Sequence, residues 1–106
     1  MKLTLNHQTS QEKAIKIIDD YLNYLLSQKY PGVEIIDPEK KWQGNFMRFY
    51  FVAEKIFWSL EISGTLIIND ESAILEGEIP AIVTTFVPEE KIKKIITEKF
   101  NQLFNL

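Results

Sequence analysis

The chain contains no cysteine, which removes disulfides, thiolate nucleophiles and cysteine-based metal sites. That absence fits a reducing compartment. Arginine is nearly missing too, since Arg48 stands alone, so bidentate readout of phosphates or base edges has almost no raw material. Fifteen acids against twelve bases give a formal charge of −3, the wrong sign for a general nucleic-acid binder. No nucleic-acid partner is expected. Histidine occurs once, as His7, and one imidazole makes neither a histidine metal cluster nor a Ser/His/Asp arrangement. Phosphate-loop, dinucleotide-binding, zincin and nucleophile-elbow motifs are all missing. No catalytic residue, metal site or cofactor is therefore assigned. No apolar run approaches the roughly 20 residues that cross a bilayer, and the first residues turn polar at once, without a signal-peptide core. The expectation is a cytoplasmic protein with no transmembrane segment.

What is present suits one ordinary globular unit. The 106 residues are 45% apolar and 25% charged, enough for a single core over residues 1–106 and too few for two. Leu3 and Leu5 alternate with Lys2, Thr4 and Asn6, as in a short strand. Thr9 and Glu12 have capping-box spacing. From Ser10 to about Lys29 apolar residues recur with a helical period, leaving Asp19 and Asp20 on the polar side, and Pro31-Gly32 ends the run. Val33, Ile35 and Ile36 make a short strand broken at Asp37-Pro38, and Glu39-Lys40-Lys41 reads as a solvated loop.

Three strand-like runs follow between Trp42 and Pro80. Phe46 to Ala53 is the first, entered through a Gly44-Asn45 turn. Glu54-Lys55 is a candidate for the next turn, although neither residue favours positive φ. Ile56 to Ile68 keeps one parity through Gly64, consistent with a long strand bent or bulged there. Asn69 to Ser72 is a turn. The last run places Ala73, Leu75, Gly77 and Ile79 inward, with Gly77 admitting close approach of a helix or side chain. Ala81 to Val87 is ambiguous between strand and helix. Pro88-Glu89-Glu90 opens a final amphipathic helix, with proline at its first position and acids at the positive end of the dipole.

The predicted fold is α+β. It has a mainly antiparallel sheet of about four to five strands with two helices on one face, in the order β-α-β-β-β-β-α. Glu76 and Glu78 share a strand face, where paired acids could serve hydrolysis or a divalent cation, but a solvated surface is the simpler reading. His7 at the helix entry reads best as a backbone-bonded residue. The aromatic residues are more informative. Trp42, Phe46, Phe49, Phe51, Phe57 and Trp58 crowd one loop and two strands, with rings on both faces of the first strand. Either loops or the first strand cover the second face, or the rings form an exposed patch for a ligand or partner. With His7, these six make the candidate contact surface.

The order of landmarks resembles the polyhydroxyalkanoic acid system family, small bacterial proteins, some encoded beside polyhydroxyalkanoate synthesis and granule-surface genes. The likeness rests on His7 and Thr9 with Glu12-Lys13-Ala14, on Trp42-Gln43-Gly44-Asn45-Phe46, and on Ser63-Gly64-Thr65-Leu66-Ile67-Ile68-Asn69-Asp70. Glu76-Gly77-Glu78-Ile79-Pro80 and a helix opening near Glu90 and Ile92 complete it. The chain departs from the family in its extended Pro31–Lys41 connection and its lysine-rich, arginine-poor surface. The resemblance implies a non-enzymatic accessory protein associated with polyhydroxyalkanoate granules or their metabolism, through an apolar surface. Its partner would be a hydrophobic polymer granule or another protein. The competing expectation, by fold analogy, is a helix-grip-like carrier enclosing a hydrophobic ligand between sheet and helix. Edge strands also offer a route to a homodimer.

Overall fold

Alternation at the N-terminus produces β1 (Lys2–Asn6), which the computed structural model, describing residues 1–106, places at one edge of a five-stranded sheet. There follow α1 (Gln11–Ser27), β2 (Glu34–Gln43), β3 (Phe46–Lys55), β4 (Trp58–Ile68), β5 (Ser72–Glu78), α2 (Ala81–Phe86) and α3 (Glu89–Leu103). The strands run β1-β5-β4-β3-β2 and every pairing is antiparallel. This is the expected α+β architecture with one additional short helix. The ambiguous stretch after Pro80 forms α2.

Cross-strand register sorts the side chains onto two faces, because neighbours directly opposite one another point the same way. Met47 lies opposite Leu66, Leu66 opposite Leu75, and Leu75 opposite Leu3. Ile68, Ala73 and Leu5 extend that face. Ala14 and Ile18 of α1 pack on it together with Phe100 of α3 and the following Phe104. Both long helices therefore cover one face of the sheet.

Burial is concentrated at one end of this layer. Leu5, Met47, Leu66, Ile68 and Ala73 are buried near the β4–β5 turn, here called the proximal end. Toward the β3–β4 turn, the distal end, Phe51, Leu60 and Ile62 are only half-buried, and Ala53 alone is buried. Neither α2 nor α3 contains a fully buried residue. The molecule is correspondingly elongated, at 43 × 27 × 22 Å.

Several local expectations are corrected. Ser10, not Thr9, caps α1, its hydroxyl accepting from the Lys13 N–H at 3.2 Å. Asp37-Pro38 does not end β2. The strand absorbs it as a bulge between Ile36 and Glu39, with Asp37 at φ 48°, and an edge strand tolerates proline because one row of donors has no ladder partner. Glu39-Lys40-Lys41 is consequently strand rather than loop. The β3–β4 turn is Ile56-Phe57, since Lys55 pairs with Trp58, two residues beyond the expected Glu54-Lys55. Pro88 is the N-cap of α3, not its first residue.

The glycines exchange roles. No helix approaches Gly77, where an added Cβ would meet only the Ser63 carbonyl at 3.3 Å and the Gly64 Cα at 4.0 Å. The close approach is at Gly64, where a Cβ would stand 2.4 Å from the Glu76 carbonyl and 2.7 Å from Phe49 Cζ. Phe49 covers its cross-strand neighbour Gly64, and β4 passes through this point with no register shift.

Candidate functional site

The seven residues expected to form one contact surface fall into five environments, His7 being buried apart from the six aromatic residues. Trp42 and Phe49 pack against the main core beneath α1. Phe51 lies on the same face, half-buried toward the distal end. Phe46 is on the opposite, open face, with the Arg48 guanidinium 5.7 Å from its ring centroid. Phe57 and Trp58 stand at the β3–β4 turn. Only these last two come together as exposed apolar groups, because strand alternation sends sequence neighbours to opposite faces.

His7 is part of the scaffold. It is 1% exposed, its Nδ1 accepts from the Thr9 N–H at 3.2 Å, and its Nε2 lies 2.8 Å from the Asn69 carbonyl. A carbonyl can only accept, so the proton resides on Nε2. Both ring nitrogens are thus engaged, and the ring also packs 6.0 Å from that of Phe104. The side chains of Gln11 and Asn45 each donate to the Ile68 carbonyl at 2.8 Å. These bonds lock α1 and the β2–β3 turn to the proximal end.

Trp42 is committed elsewhere as well. Its Nε1–H donates to Asp19 Oδ1 at 2.8 Å, and Lys40 Nζ donates to the same oxygen. Asp19 therefore does not belong to the solvated helix side, and Lys40 is not a free surface lysine. Burial pushes the Asp19 carboxyl up. The Lys40 and Trp42 hydrogen bonds and the charges of Lys40 and Lys16 outweigh that effect and hold it below the ordinary carboxylate range. The arrangement pins edge strand β2 to α1.

The β3–β4 turn has a different character. Ile56 and Phe57 are 87% and 95% exposed, and Trp58 is also exposed beside them. Apolar residues seldom occupy a two-residue hairpin turn, where polar and glycine residues ordinarily serve. Sequence reasoning includes Phe57 and Trp58 but misses Ile56, because propensity favours Glu54-Lys55 as the turn. Ile82 and Phe86 of α2 are further exposed apolar residues that it does not single out. Between this turn and the end of α1 lies an open cleft of about 920 Å³, lined by Leu26, Tyr30, Val33, Ile35 and Ile56 together with charged residues.

The open face is mainly polar. Glu76 is paired with Lys2 at 3.4 Å, and Glu78 is exposed beyond it. Burial raises the Tyr50 hydroxyl above its ordinary value, reinforced by Glu61, Asp37 and Glu39, a sign of how acidic its surroundings are.

Comparison with family models, curated proteins and solved structures gives no match.

Proposed function

We propose that this is a non-enzymatic accessory protein that docks on a hydrophobic surface through its β3–β4 turn. The exposure of Ile56 and Phe57 at the tip of a long hairpin carries this reading. Following the resemblance drawn from the sequence, the surface is that of a polyhydroxyalkanoate granule or a protein bound to one, in the cytoplasm. The engagement of both His7 nitrogens favours a docking role over acid–base catalysis.

Magnitudes suit reversible docking. Burying one Ile or Phe side chain fully is worth about 1.5–3 kcal/mol, so Ile56 and Phe57 together supply roughly 3–6 kcal/mol before the cost of immobilisation. Adsorption of purified protein to polyhydroxyalkanoate particles tests the reading. Phe57→Ser should weaken adsorption about tenfold or more, as a loss of about 1.4 kcal/mol or greater implies. Because Phe57 packs on little, its melting temperature should match the parent's. Adsorption unchanged by the substitution removes the tip from the docking surface.

The cleft beside the tip favours a second reading, a carrier for a small hydrophobic ligand. Native mass spectrometry of freshly purified protein distinguishes the two. A carrier retains copurified ligand, whereas a docking protein flies at the mass of its chain or of whole oligomers.

A further inference from the structure

The open face of the sheet has its charges separated along the strand direction. Cross-strand register sets Lys2, Glu76, Thr65, Arg48 and Lys41 in one row at the proximal end. Basic residues prevail there. Toward the distal end the same face presents Glu78, Glu39, Glu61, Glu54 and Glu34. No lysine or arginine relieves them, because Lys40 and Lys55 have the opposite parity and point to the helix side. Half-buried Phe46, Tyr50, Val52 and Ile36 lie among these charges. The long helices are both on the other face, so nothing from them covers these groups.

The total surface area leaves room for a partner. The chain exposes 7431 Å², whereas a compact monomer of its mass exposes about 6,100 Å². The excess, about 1,300 Å², exceeds the roughly 800 Å² that each partner contributes to a standard stable interface. Strands about 4.8 Å apart give the open face a width of roughly 20 Å, and its length falls from about 30 Å along β2, β3 and β4 to the shorter β5 and β1.

We propose that a second copy of this chain covers the open face, forming a twofold dimer in which the basic end of each sheet lies over the acidic end of the other. An axis running across the strands achieves this, because it reverses strand ends while keeping strand order. Placed between the Tyr50 and Val52 rows, it sets Tyr50 over the partner's Val52, Lys41 over the partner's Glu34 and Arg48 over the partner's Glu54. Tyr50, Val52 and Ile36 then lie beside the axis, and the charge pairs lie at either end of the contact, in keeping with the usual anatomy of an interface. Two sheets facing each other about 10 Å apart are a standard packing. Edge-to-edge pairing is disfavoured by the β2 bulge with Pro38 at one side and by the short β1 at the other. The proposal is independent of the docking function.

Sedimentation velocity of the full chain across the micromolar range tests it. The parent should be dimeric and should dissociate more readily as salt screens the rim. Lys41→Glu with Arg48→Glu sets acid against acid across the contact, and Glu34→Lys with Glu54→Lys sets base against base. All four side chains are exposed, so both variants should fold, which circular dichroism checks. Each should raise the dimer Kd at least about tenfold, and an equimolar mixture of the two should re-form a dimer. A monomeric parent overturns the proposal, as does a double variant as tight as the parent or a mixture that stays monomeric. A dimer abolished by Phe57→Ser but indifferent to the charge reversals also overturns it, by placing the contact at the hairpin tip.

Discussion

Gly64→Ala is the sharpest probe of how the sheet is built. The new methyl would stand 2.4 Å from the Glu76 carbonyl and 2.7 Å from Phe49 Cζ. Phe49 can tilt, but the carbonyl belongs to the adjoining strand and moves only if β4 and β5 separate. Overpacking of this kind costs about 1–3 kcal/mol, and contact with backbone places it at the upper end. Reduced freedom of the unfolded chain returns about 0.4–1 kcal/mol. The net loss is about 2 kcal/mol, which lowers the melting temperature of a domain this size by about 10 °C. Gly77→Ala is the control. Its nearest contact would be 3.3 Å, so its cost should stay within about 1 kcal/mol. Urea unfolding with an unchanged slope gives both numbers. Equal stability of Gly64→Ala and the parent would refute the close approach, and a larger loss for Gly77→Ala would reverse the assignment.

Two further substitutions test the scaffold. Asp19→Asn should cost about 1 kcal/mol near neutral pH, a figure already reduced for the partial exposure of the pair. The folded pKa of Asp19 lies below its unfolded value of about 3.9. Its contribution is therefore present above that value and lost as pH falls through the folded one. The gap between parent and variant in urea midpoints should accordingly close as pH drops below about 4, and a gap constant with pH would contradict the pairing. His7→Ala should cost about 3 kcal/mol, since it leaves the Asn69 carbonyl and Thr9 N–H without their partner and opens space beside Phe104. A loss below about 1 kcal/mol would deny His7 its place in the core.

The long periodic stretches were legible because their signals are local. Ala14, Ile18 and Leu22 mark the buried side of α1 at helical spacing, and Met47, Phe49 and Phe51 separate from Phe46, Tyr50 and Val52 by simple alternation. Proline misleads at Pro38, because an edge strand can bulge around a residue that would break a central one. Propensity misleads at the β3–β4 turn, where Ile56 and Phe57 replace the polar residues a turn ordinarily uses. The aromatic cluster misleads because adjacency in sequence is division in a strand. Partnerships across long separations were out of reach, such as Trp42 with Asp19 and His7 with Asn69. Neither residue type nor spacing says which carbonyl a histidine will meet 62 residues away.

The uneven burial along the sheet sets how the molecule breathes. Amides of the hairpin around Phe51 to Ile62 should trade deuterium early, by local fraying that leaves the rest intact. Those of Met47, Leu66 and Ile68 should wait for global unfolding. A protease nick between Ile56 and Phe57 would then leave two fragments clasped together at the β4–β5 end, still holding their shape.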